Sequence, residues 1–214
     1  MKKLKISQKL IAVAFSFAAA VQCSVLPASA LDTGAANTYC SKFAGEAAVV
    51  PHAYSGADIF GYNPYYTAYA HPVDTNGKYT GANPDCTNFV SQVLYYAGMA
   101  QAVAHLRYGV VPGTGLHAYL SSTLDCRMNS GLTFSELIGL TGNNAVKAGD
   151  VIQLSDGSIN YGHSMYVNHV VVVNGKVVDI LYSAHTNDCF YQSLSSKCKG
   201  NSNYKFTVFH TSDF

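Results

Sequence analysis

The dipeptide Asn174-Gly175 constrains this chain more than any other feature. It separates His169–Val173 from Lys176–Ser183, two valine-rich runs. Asn-Gly between such runs specifies a two-residue hairpin whose central residues both take positive φ. From Ala148 onward the chain reads as strands and turns around this hairpin. Ala148-Gly149-Asp150 turns into Val151–Leu154, Asp156-Gly157 is a second hairpin signal, His163–Val167 precedes the hairpin arm, and Tyr204–His210 is a final strand. Upstream, short helices are predicted near Leu116–Leu124 and Thr133–Leu140. Helices first and an antiparallel meander afterwards predict an α+β fold, with N-terminal helices packed on a C-terminal antiparallel sheet.

The best-defined helix begins at Cys86. Asn83-Pro84-Asp85 is turn chemistry and Asp85 is a good N-cap. Phe89, Val90, Val93, Leu94 and Ala97 then recur at helical spacing, and Gly98 is positioned as the C-cap. Cys86 therefore falls in the first turn, where unpaired backbone N–H groups and the positive end of the helix dipole favour a thiolate. Asp85, Thr87 and Asn88 are expected to support that turn, and Asp85 serves also as a simple cap.

Three histidines fall in the predicted sheet. His163 opens a strand and His185 closes the one after the hairpin, 11 residues before Asn174 and 10 after Gly175, so the meander brings them to one end. A bulge near Asn168 would change that register. His169 lies mid-strand among apolar neighbours and reads as core or surface filler. A thiolate, an imidazole and a second polar group orienting it form the nucleophile–base–orienter arrangement of covalent acyl transfer. Cys86 is the expected nucleophile, His163 the base and His185 the orienting residue. The backbone N–H of Cys86, with that of Thr87, faces the developing oxyanion.

The N-terminus predicts export. Met1–Lys9 is basic, Leu10–Val21 is an apolar run broken only by Ser16, and Pro27-Ala28-Ser29-Ala30 supplies small residues for cleavage after Ala30. The run is shorter than the roughly 20 residues that span a bilayer, so a signal peptide over 1–30 and a single domain over 31–214 are expected, with no stable membrane anchor. The formal charge of +1 then misleads. Setting aside Lys2, Lys3, Lys5 and Lys9 from 13 basic residues leaves 9 against 12 acidic, a net −3 with no footprint for nucleic acid. With 49% hydrophobic and 12% charged residues, disorder is excluded as well. Export permits disulfides. Beyond the leader there are five cysteines, an odd number that leaves one free thiol or an intermolecular bridge. Cys189 and Cys198 make a plausible local bridge and Cys40 and Cys126 a second, leaving Cys86 reduced, although spacing alone leaves other pairings open.

Four stretches carry a family resemblance: Asp85-Cys86-Thr87-Asn88-Phe89-Val90-Ser91-Gln92, Gly149-Asp150-Val151-Ile152-Gln153, Gly162-His163-Ser164-Met165, and Ser183-Ala184-His185-Thr186-Asn187-Asp188. In that order they resemble the amidase domain family of secreted bacterial proteins. More distantly they are similar to the NlpC-type peptidases and CHAP amidases of papain-like fold, which act on bacterial cell walls. The resemblance runs from about Tyr54 to the C-terminus. It implies Cys86 as nucleophile, His163 as base and His185 as third residue, with no metal or organic cofactor. It also implies an enzyme, secreted or associated with the wall of a bacterium, that cleaves amide bonds in peptidoglycan; the sequence leaves the oligomeric state open, with a monomer favoured.

Two other readings start from the same residues. His163, His169 and His185, with Asp179 or Asp188, would supply a zinc site, although their spacings match no helical His-x-x-x-His pattern. A non-catalytic extracellular module would instead bind glycans or proteins through tyrosines such as Tyr62, Tyr65, Tyr66 and Tyr69. Such a stripe more often packs a core.

Overall fold

A computed structural model describes residues 31–44, 86–99, 115–155, 161–185 and 189–214. Helices α1 (Thr33–Ala44), α2 (Cys86–Tyr96) and α3 (Gly115–Ala118, continued by a π-helical turn over Tyr119–Thr123) come first. Strand β1 (Met128–Leu132) and the short helix α4 (Phe134–Ile138) follow. Strands β2 (Val151–Ser155), β3 (Tyr161–Val173), β4 (Lys176–Ala184) and β5 (Cys189–Ser193) then lead to helix α5 (Leu194–Cys198) and strand β6 (Lys205–Phe209). The six strands lie in the order β1-β6-β2-β3-β4-β5, and every pair is antiparallel. The α+β architecture is as the sequence predicts. The Asp156-Gly157 turn and the Tyr62–Tyr69 cluster lie outside the described residues.

The sheet is covered on both faces. Val151, Tyr166 and Phe209 point into one core with Tyr39, Phe43, Phe89, Val93 and Leu120 of the larger helices. Ile152, Met165, Val167, Ile180 and Val208 point into a second core with Leu137 of α4 and Leu194 of α5. Alternation along each strand thus serves two buried layers, which is why β2 is buried at all five positions and presents neither face to solvent.

The hairpin forms at Asn174 (φ 51°) and Gly175 (φ 75°), both left-handed, as a type I′ turn requires. β3 is one strand rather than two and contains the bulge at Asn168: the register shifts between Val167 and His169. A second shift, between Val171 and Val172, leaves Val178 as the extra residue on β4. The two shifts cancel, so Tyr166 faces Ser183 in the same register that the turn sets at Val173 and Lys176.

Gly149 (φ +99°) holds a backbone conformation strained for any other residue, and a Cβ there would crowd Ser212 Cβ at 3.2 Å and Thr33 Cγ2 at 3.3 Å. Asp150 beside it is fully buried. Its carboxylate accepts from the Lys147 N–H (2.9 Å), the Ser212 N–H (3.2 Å) and His210 Nδ1 (3.3 Å), fixing the turn into β2.

The expected disulfides are absent: Cys40, Cys126, Cys189 and Cys198 are all free thiols. Cys40, on the buried side of α1, is hydrogen-bonded to Asn168 of β3 and Ser183 of β4, whereas Cys126 lies against His210 beyond β6. Two to three strand spacings of about 4.8 Å separate these locations, beyond the roughly 7 Å between Cα atoms that a disulfide spans. Cys189 takes the Tyr182 hydroxyl as its partner instead of a sulfur, while Cys198 ends α5, half-buried against the second core. Burial pushes the Cys40 and Cys126 thiols up from 9.0 to about 12, so both remain protonated and behave as small apolar side chains.

Candidate active site

Cys86 is the first residue of α2 and is buried, as are the eight residues that follow it. The helix ends as its sequence predicts, at Gly98 with φ +106°. Asp85 lies outside the described residues. Thr87 Oγ1 is 3.0 Å from Ser164 Oγ, and the Thr87 carbonyl accepts the Ser91 hydroxyl at 2.9 Å. Asn88 Oδ1 accepts from Gln92 Nε2, and Gln92 Oε1 in turn accepts the Tyr39 hydroxyl, tying the second residue after the thiol to α1. The supporting residues Thr87 and Asn88 thus anchor the first turn to β3 on one side and to α1 on the other.

His185 follows β4 directly. Its Nε2 lies 2.5 Å from the Phe43 carbonyl, which can only accept, so Nε2 carries the proton and Nδ1 of the neutral ring is an acceptor. Phe43 belongs to the last turn of α1, whose carbonyls have no partner within the helix. The ring lies flat on Phe89, with centroids 4.1 Å apart and planes 22° off parallel. Phe89 is three residues after Cys86 and therefore on the same side of α2, a helical neighbour at about 5–6 Å between Cβ atoms. His185 is thereby packed one turn along from the sulfur.

His163 sits opposite Leu154 near the start of β3 and is 8% exposed. Its neighbour Ser164 touches Thr87, which brings this strand end to the first turn of α2. Carrying the β3–β4 register on by two residues sets Ser164 opposite His185. Strand alternation gives Ser164 and Tyr166 to the α2 face. It gives His163, with its register partner Leu154, the parity of Met165 and Val167 in the second core.

Two buried polar residues on the α2 face do not stand out in the sequence. His117 of α3 is 6% exposed, donates through Nδ1 to Gln153 Oε1 at 2.8 Å, and meets the Phe209 ring edge-on. Gln153 Nε2 donates to Ser164 Oγ at 3.2 Å. The available signal was Gln153 itself, the one amide in the otherwise apolar run Val151–Leu154.

Among the described residues the zinc arrangement does not form; Asp188 lies outside them. His169 is exposed and lies six residues along β3 from His163, roughly 20 Å at strand spacing. Asp179 is engaged elsewhere, accepting from Ser193 Oγ (2.6 Å), Ser195 N (2.9 Å), Ser195 Oγ (3.0 Å) and Ile180 N (2.8 Å). Among the described residues no three His, Cys, Asp or Glu side chains converge as a metal site. Also among them, no helix is long and apolar enough to cross a membrane.

Helices stacked on a two-sided antiparallel sheet, together with the family match that follows, define a hydrolase domain of amidase type. The family model described as "Putative amidase domain" matches residues 31–209, and the chain belongs to that family. The match extends further toward the N-terminus than the resemblance from Tyr54 onward. No curated protein and no solved structure matches the chain.

Proposed function

We propose that this chain is an exported cysteine amidase acting on bacterial peptidoglycan. The observation that carries the reading is the convergence on α2: Ser164, beside His163, meets Thr87, while His185 stacks on Phe89. A thiol at a helix N-terminus with imidazole within reach is a nucleophile in waiting.

In the proposed reaction the Cys86 thiolate attacks the carbonyl carbon of the scissile amide, and the oxygen becomes an oxyanion facing the N–H groups of the α2 start. Collapse breaks the C–N bond. The leaving amine takes the proton held by His163, and a thioester to Cys86 remains. Water, deprotonated by His163, attacks that thioester and releases the carboxylic acid and the thiol. His185, whose Nδ1 is an acceptor, orients the base through its second ring nitrogen. A family match beginning at residue 31, directly after the expected cleavage site, supports export of the mature domain.

A second assignment within the same mechanism makes His185 the base. It is favoured by the pleat, which gives His185 and Ser164 to the α2 face and His163 the parity of the opposite core. Incubating purified peptidoglycan with wild type and with Cys86→Ala, followed by mass analysis of released fragments, tests the function. New amine and carboxylate ends from wild type alone support it. Equal release by both proteins overturns it.

A further inference from the structure

The geometry points to His117 and Gln153 as positioning residues for Cys86, acting through Ser164 and Thr87. The inference rests on the cysteine amidase reading but names residues that the mechanism does not use. Four buried polar side chains form one hydrogen-bonded line across four elements. His117 Nδ1 donates to Gln153 Oε1 (2.8 Å), Gln153 Nε2 donates to Ser164 Oγ (3.2 Å), and Ser164 Oγ meets Thr87 Oγ1 (3.0 Å). Gln153 and Ser164 are fully buried and Thr87 and His117 nearly so.

The line starts on α3, crosses β2 and β3, and ends on the residue bonded to Cys86. Gln153 is the pivot, because its amide accepts from His117 through Oε1 and donates to Ser164 through Nε2, so one side chain joins the two halves of the line. Gln153 lies directly opposite Ser164 and Thr207, with Val151 and Phe209 beyond, and a buried, hydrogen-bonded amide there adds little stability over an aliphatic residue of similar size. What the line does supply is a fixed position for the Thr87 side chain, and with it the turn that carries the sulfur and the oxyanion-facing N–H groups. Displacement of a reacting group by about 1 Å costs on the order of 100-fold in rate.

The test uses the full mature chain with three variants, Gln153→Met, His117→Leu and His117→Gln. Gln153→Met and His117→Leu break the line, whereas the amide of His117→Gln restores a donor to Gln153. Two readouts are taken: kcat and KM on peptidoglycan fragments, and the pH titration of Cys86 followed by the NMR shift of its β-carbon. The titration requires neither activity nor access of a reagent to the buried sulfur. For the two breaking variants we expect kcat to fall about 10- to 100-fold with KM within about 3-fold. We also expect the Cys86 titration midpoint to move by about one unit or more, and His117→Gln to restore both values. A breaking variant that keeps wild-type kcat and midpoint overturns the inference. So does a loss that His117→Gln fails to restore, or one that follows the fall in melting temperature. Full activity in Cys86→Ala would instead overturn the amidase reading, and the titration would still decide whether the line positions the thiol.

Discussion

The imidazole of His185 lies face to face with the ring of Phe89 while its Nε2–H is given to the carbonyl of Phe43. One histidine thereby joins the end of β4, the body of α2 and the last turn of α1. Stacking sets the plane of the ring and the hydrogen bond sets its tautomer. Neither depends on substrate, so the ring is already held in place in the resting protein. A histidine held this way is pre-organised, as an orienting or proton-accepting group needs to be.

Replacing Cys86 by Ala is expected to lower amide hydrolysis by at least about 10³-fold, since loss of a nucleophile in covalent catalysis leaves only residual stabilisation. The side chain is small and its β-carbon is retained, so the melting temperature should shift by only a few degrees. Fragment release from peptidoglycan and a thermal melt check both halves.

The two histidines separate by the ratio of their effects. If His163 is the base, His163→Gln lowers kcat by roughly 10²- to 10⁴-fold, and His185→Gln lowers it less while also reducing stability. That stability loss, about 1–2 kcal/mol, reflects the hydrogen bond to Phe43 and the stacking on Phe89. The reverse order of kcat losses would transfer the base to His185. Steady-state kinetics beside denaturant melts of the same two variants give the answer.

Thiol titration of the denatured, unreduced chain should find Cys40, Cys86, Cys126, Cys189 and Cys198 all free, and reductant should leave the melting temperature unchanged. Alkaline pH should weaken the fold. Cys40 and Cys126 hold their protons up to about 12 when folded and lose them near 9.0 when unfolded, because burial disfavours the thiolate. Between those values the unfolded chain binds fewer protons than the folded one, so stability is whole below pH about 9 and declines as pH rises toward about 12. Burial pushes the Tyr166 and Tyr182 hydroxyls up as well, and their contributions have the same sign. Melting temperature against pH, with Cys40→Ala giving a shallower fall, is the measurement.

Asp179→Ala should loosen the β5–α5 corner by about 1–3 kcal/mol, because Ser193, Ser195 and the Ile180 N–H lose a shared acceptor. Partial burial pushes this carboxyl up, but those hydrogen bonds outweigh it and hold it below the usual range. Its contribution is therefore present above the ordinary carboxylate value and lost as pH falls below it. Wild type should weaken in acid more steeply than the variant, and denaturant melts across acidic pH would show it.

Local chemistry made most of the frame legible. Asn174-Gly175 specified the central hairpin, and the spacing from Phe89 to Ala97, with Gly98 after it, specified α2. What escaped lacks periodic signal. β1 reads Met-Asn-Ser-Gly-Leu and contains Gly131 at φ +72°, while β5 and α5 are five residues each and exist because Asp179 and the edge of β4 accept them. α1 carries a core face on a short, small-residue stretch. The disulfide expectation failed because a cysteine count reports redox setting and not location, and Cys40 and Cys126 are packed as core residues. For the site, Cys86, His163 and His185 were visible as residue types at turns and strand ends. The His117–Gln153 line was not, since hydrogen bonds between distant segments leave no spacing to read.

The bulges at Asn168 and Val178 are insertions, one on each arm of the hairpin, and neither residue has a partner across the ladder. Removing either would close its own bulge and leave Tyr166 opposite Ser183 and Ser164 opposite His185. The frame of the hairpin is thus carried by its paired residues alone, and the corner that holds the thiol keeps its alignment whether or not the two extra residues are present.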